Sequence, residues 1–89
     1  MVGTAAEPVA ADDGGPQARL EREELAGQVS AAVAELPESQ RLIFVLGTQL
    51  GMRYREIAAI SGCSVEAVKV RMHRARKRVR DALLPYLEG

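Results

Sequence analysis

Between Arg53 and Arg80 the chain places nine basic side chains: Arg53, Arg55, Lys69, Arg71, Arg74, Arg76, Lys77, Arg78 and Arg80. Only Glu56 and Glu66 oppose them, so the stretch carries a net charge of +7. It also holds the single histidine, His73, and the single cysteine, Cys63. These residue types limit the chemistry. A histidine base needs a nucleophile and an orienting acid within hydrogen-bond reach, and the sequence around His73 offers neither. One Cys and one His fall short of the three or four ligands of a structural zinc site. No phosphate-cradling glycine loop is present. Catalysis, a metal and a cofactor are therefore not expected. Cys63 reads as a small turn residue. A dense block of cations on a helical pattern is the footprint of a surface for a polyanion.

The chain as a whole is neutral, but only because other segments balance this block. Residues 1–52 hold three basic and eight acidic side chains, a net of −5, and Asp81 and Glu88 give the last nine residues −2. Such asymmetry assigns nucleic acid to one face and leaves another for a different partner. Eighty-nine residues suit one domain with a thin core. No apolar run approaches the roughly 20 residues of a membrane span, and the N-terminus lacks a signal-peptide core. A lone cysteine excludes a disulfide within the chain, consistent with a reducing compartment. The expected setting is cytoplasmic, with no membrane.

The elements that position the cations follow from periodicity. Met1–Pro16 is rich in Gly, Ala and Pro without helical period and reads as a disordered linker, leaving 17–89 as the domain. A first helix is predicted over Gln17–Leu36, where Val29, Ala32, Val33 and Leu36 follow Leu25 at offsets of 4, 7, 8 and 11. Glu21, Glu23 and Glu24 sit early in it, favourably placed for the helix dipole. Pro37 marks a boundary. A second helix runs from about Glu38 to Leu50 and is apolar nearly all round. Leu42, Ile43, Leu46 and Leu50 are assigned to the core, with Phe44 and Val45 partly exposed, and Gly51 ends the helix. A short third helix covers about Arg53–Ser61, with Tyr54, Ile57, Ala58 and Ser61 on one side. Gly62 supplies the positive φ of a tight turn, and Ser64 caps a long helix from Val65 to about Leu84. Fold class is thus all-α: a small four-helix domain with a C-terminal helix-turn-helix.

On the long helix, Val65, Val68, Met72, Ala75 and Val79 form the inner stripe. At about 100° per residue the opposite side carries Glu66, Lys69, Val70, His73, Arg74 and Lys77. A major groove admits one helix, whose N-terminal half reaches the base edges. Glu66, Lys69, Val70, His73 and Arg74 are the base-reading candidates. Arg and Lys suit guanine, Glu suits the cytosine amine, and Val70 suits a thymine methyl. Arg76, Lys77, Arg78 and Arg80 are assigned to phosphates or solvent. Tyr54 serves equally as a core residue or a phosphate contact.

With these residues in hand, the chain resembles region 4 of bacterial sigma factors, most closely the extracytoplasmic-function (ECF) group. The likeness runs from about Val29 to Leu84. It rests on Leu36-Pro37-Glu38 with Arg41, Tyr54-Arg55-Glu56-Ile57-Ala58, Gly62, and Val68 to Arg76 with its RMHRAR segment. The resemblance implies recognition of the promoter −35 element by the last helix and docking on the flap of the RNA polymerase β subunit through an apolar groove of the earlier helices. An anti-sigma factor that covers these surfaces is a further implied partner. Carried over residue by residue, Lys69, Arg71, His73, Arg74 and Arg76 match the DNA-facing segment, and Arg41, Tyr54 and Arg55 match positions that approach phosphates.

Three departures bear on this likeness. Arg53 stands where the family commonly has Ser or Thr, so the third helix is expected to lack its N-cap. Glu66 puts an acid at the front of the recognition helix. The 89 residues also hold no counterpart of region 2, which reads and melts the −10 element, so opening a promoter is not expected of this chain alone. Two other functional classes fit the pattern: an interaction module held by an anti-sigma factor or another regulator, and a generic helix-turn-helix regulator. No heptad-bearing helix follows Leu84 to form a dimer seam, and a monomer is expected.

Overall fold

A computed structural model describes residues 14–88. Among them the chain forms four helices: α1 (Gly15–Ala34), α2 (Glu38–Thr48), α3 (Tyr54–Ser61) and α4 (Val65–Glu88). The linker predicted for the N-terminus lies outside the described residues up to position 13. Its last two residues belong to α1, which starts at Gly15 rather than Gln17. Pro16 does not prevent this, because the first-turn N–H groups of a helix have no intrahelical acceptor to lose. The earlier start also moves Glu21, Glu23 and Glu24 beyond the first turn, away from the positive end of the helix dipole.

Two apolar clusters hold the helices together, and α4 runs through both. Ile43 of α2, Ile57 and Ala58 of α3, and Val68 and Met72 of α4 form the first, with Met52, Tyr54, Cys63 and Val65 packed on it. Val33, Leu36, Ala75 and Val79 form the second, with Val29, Ala32, Val45 and Leu83 against it. Phe44 touches both. The first half of α4 thus rests on α2 and α3, and the next turns rest on α1. Ile43, Ile57, Val68 and Met72 have almost no exposed surface, and each contributes roughly 1.5–3 kcal/mol by leaving water.

α2 and α4 approach closely at Gly47. A Cβ built there would lie 2.5 Å from the Met72 Cε and 3.5 Å from the Ile57 Cδ1. The glycine weakens the helix by about 1 kcal/mol relative to alanine, and in return the methionine methyl sits against bare backbone.

The apolar circumference of α2 misleads at two positions. Leu42 and Leu50, expected in the core, are 47% and 66% exposed. Phe44, Val45 and Leu46 pack on the clusters beside the buried Ile43 and leave Leu42 outward, and α2 ends at Thr48, before Leu50. The chain then turns through Gly51 (φ 64°), with the Met52 N–H donating to the Leu46 carbonyl at 3.0 Å. Phe44 and Val45 are half-buried, as expected. α4 is also longer than predicted. It continues through Pro85 to Glu88. Proline there removes the donor for the Asp81 carbonyl, but Asp81 is exposed and water can take over that acceptor.

Candidate nucleic-acid interface

The turn between α3 and α4 sets the angle at which the basic helix is presented. Gly62 has φ 71°, a conformation costly for a residue with a Cβ. The Ala58 carbonyl accepts from the N–H of both Gly62 (2.9 Å) and Cys63 (3.1 Å), which closes α3. Ser64 then starts α4. Its Oγ accepts from the Ala67 N–H at 3.0 Å and its carbonyl accepts from the Val68 N–H at 3.0 Å. Cys63 is half-buried against the first cluster.

As Arg53 implied, no N-cap side chain accepts from the first turn of α3. The Glu56 Oε1 accepts a hydrogen bond from the Arg53 N–H at 2.9 Å. A guanidinium accepts nothing, so this is the reciprocal half of a capping box without its Ser or Thr half. The signal was present in the sequence as an acid three residues after the first position of the predicted helix.

The inner stripe of α4 buries Val68, Met72, Ala75 and Val79, with Val65 half-buried at its start. The predicted outer face is exposed at Glu66, Lys69, Val70, His73, Arg74 and Lys77, and Arg76 is exposed beside it. Arg71 is half-buried on the flank. Arg55 is exposed on α3, whereas Tyr54 is half-buried and packs on the first cluster. One polar contact lies within this group: the Lys77 Nζ donates to the Asp81 Oδ2 at 2.9 Å. That hydrogen bond holds the Asp81 carboxyl below its ordinary pKa, opposed by slight desolvation and helped by the charges of Lys77 and Arg80.

Arg41 stands apart from the α4 face. Its Nη1 donates to the carbonyls of Ala34 and Leu36, each at 3.0 Å. The first is the last carbonyl of α1 and the second lies in the bend after it, so Arg41 ties the end of α1 and the bend to α2. The Nε and Nη2 groups remain as its donors for a phosphate. Sequence spacing did not reveal this role, because an arginine's reach across a bend depends on the bend.

A second surface has the opposite character. The first half of α1 and the last turn of α4 expose Leu20, Leu25, Leu84, Tyr86 and Leu87. Leu25, Tyr86 and Leu87 line a cleft with Glu21, Glu24 and Gln28. Among the described residues no group of His, Cys, Asp and Glu is arranged to hold a metal ion, and no helix is long and apolar enough to cross a membrane.

Comparison with known proteins places the turn and most of the basic helix within one family match. The family model described as sigma-70, region 4 matches residues 26–79. The chain is 41% identical over 75 residues to the ECF RNA polymerase sigma factor EcfG of Rhodopseudomonas palustris, covering 84% of this chain and 38% of that protein. It is 33% identical over 72 residues to the RNA polymerase sigma-H factor of Pseudomonas aeruginosa, covering 81% and 37%. Against the ECF RNA polymerase sigma-E factor of Escherichia coli it is 35% identical over 72 residues, covering 81% and 38%. The chain thus spans somewhat over a third of the length of these relatives.

Proposed function

The chain belongs to the sigma-70 region 4 family, and from that premise we propose that it acts in transcription initiation by binding the promoter −35 element and the β flap of RNA polymerase. The observation that carries the reading is the division of α4: one stripe buried, and the opposite face exposed with Glu66, Lys69, Val70, His73 and Arg74 at its N-terminal half. Placed in a major groove, these five meet base edges. Arg55, Arg71, Arg76 and Lys77 flank them and meet phosphates, which fix register without reading sequence. Tyr54 adds its hydroxyl, and Arg41 its two remaining donor groups, at the edge of this contact. The role is binding, with no bond made or broken by the chain.

Docking on the flap uses exposed apolar positions off the outer face of α4. Leu42 and Leu50 of α2 and Leu25 of α1 are apolar and exposed, and an apolar helix of a partner would cover them. A second reading draws on the same exposure: a regulator such as an anti-sigma factor occupies this surface and holds the domain from promoter and polymerase.

An NMR titration of the labelled chain with an isolated β flap fragment, then with a −35-like duplex, tests both. Shifts confined to residues 20–50 with the flap, and to 54–78 with DNA, support the two-face reading. A DNA response without a flap response reduces the protein to a generic helix-turn-helix binder. If about five phosphates are neutralised, log K falls against log salt with a slope near −4.5, and a flat dependence removes the electrostatic case.

A further inference from the structure

One residue on the outer face of α4 does not share its chemistry. Counted at about 100° per residue from the buried Val68, Val70 falls about 200° away, at the centre of the side facing out. It is 47% exposed and belongs neither to the two core clusters nor to the half-buried residues packed on them. Its neighbours on that face, Glu66, Lys69, His73 and Arg74, are exposed and polar. Single exposed apolar residues are ordinary on protein surfaces. Here the apolar group is the midpoint of a charged surface, on a helix where a β-branched side chain brings no gain in propensity. The branch also restricts χ1 largely to one rotamer, so its methyls are presented at a fixed position.

Among the groups that base pairs expose in a major groove, the apolar one is the C5 methyl of thymine. We infer that Val70 is a specificity-determining residue that seats the C5 methyl of one thymine in the recognised duplex. The inference rests on the DNA-reading role of α4 given above. The polar neighbours supply attraction and orientation, while Val70 rewards one base at one position through a contact that no charge can imitate. Alanine at 70 is a better helix former at an exposed site, so Val70→Ala leaves the fold intact while withdrawing the methyls.

The test begins with duplexes selected by the 89-residue chain from a random pool. In the preferred duplex each thymine on either strand is replaced singly by deoxyuridine, which removes only the methyl. The natural chain loses about fourfold in affinity at one position, the value expected for one methyl leaving an apolar contact. Val70→Ala binds the thymine duplex about fourfold more weakly and is indifferent to deoxyuridine at that position. Circular dichroism of the variant confirms that it is folded. The inference is overturned if no thymine replacement affects the natural chain, or if Val70→Ala keeps the same sensitivity. Selection that yields sequence preference with either of those results sinks only the role of Val70. Selection that yields no preference overturns this inference and the base-reading role of α4 together.

Discussion

The opening turns of α4 and the opening turns of α1 solve opposite problems with the same secondary structure. In α4 the apolar stripe is covered by α2 and α3, and charge is turned outward. In α1 the only buried residue is Val33, near its end, and Leu20 and Leu25 are exposed about three and a half and two turns before it. The last turn of α4 resembles α1 in this respect, with Tyr86 and Leu87 exposed beside Glu21 and Glu24. One region is fixed by contacts within the chain and offers a rigid charged surface. The other leaves apolar area uncovered, and its order has to come from turns that lie further along the helix. A rigid element suits reading of base edges, where a small misplacement is costly. A surface with apolar area to spare suits capture of another apolar helix.

The comparison breaks first at the packed end. Ile57→Ala removes a side chain with no exposed surface from the cluster under the turn and is expected to cost about 2–5 kcal/mol. Urea unfolding read by circular dichroism measures it, and a loss below 1 kcal/mol would mean that the first cluster does not hold the helix-turn-helix. Arg74→Ala acts on function instead, weakening binding to the preferred duplex by about 1–3 kcal/mol with the unfolding midpoint unchanged. Equal affinity in that variant would move the reading face elsewhere on α4.

Arg41→Ala separates positioning from phosphate contact. Loss of its hydrogen bonds to the Ala34 and Leu36 carbonyls is expected to lower stability by about 1–2 kcal/mol, the scale of charged hydrogen bonds at a partly solvated site. If those bonds are its main role, the salt slope of DNA binding stays the same; a slope smaller by about 1 assigns it to a phosphate. Leu25→Ser touches the uncovered region and changes stability by no more than about 0.5 kcal/mol, while weakening the response to the flap fragment.

The smallest effect concerns Asp81. Its carboxyl titrates below the ordinary carboxylate range because Lys77 donates to it. A lowered folded-state pKa adds stability above the unfolded-state value, and that increment disappears as pH falls through the folded one. Both side chains are exposed, so the expected signature is spectroscopic. The Asp81 carboxyl titrates higher in Lys77→Ala than in the natural chain, by carbon-detected NMR. Identical midpoints would show that the ion pair is not formed in solution.

Much of the helix-turn-helix was legible because its signals are local. Gly62 declares a left-handed turn, Ser64 declares a cap, and the spacing of Val68, Met72, Ala75 and Val79 declares an inner face. The missed features depend on what lies across from a residue. α2 is apolar nearly all round, so its pattern could not say that Ile43 faces the core while Leu42 and Leu50 do not. The last helix was expected to stop near Leu84, yet it runs on through Pro85, because the lost donor matters little where the Asp81 carbonyl belongs to an exposed residue. Arg53 signalled the missing side-chain cap correctly, but not that Glu56 would accept from its N–H. The exposed face of α4 follows from rotating away from the inner stripe, whereas the bonds of Arg41 do not, because its side chain crosses a bend between helices.

The contact of Gly47 with the Met72 methyl has a consequence for how the two faces are spaced. α2 carries exposed apolar positions, α4 carries the exposed charged ones, and between the two helices the Met72 methyl occupies the space that a side chain at 47 would take. The crossing therefore works as a ruler. It fixes how far a partner seated on α2 stands from a duplex lying along α4, and a residue with a side chain at 47 would recalibrate that distance without touching either surface.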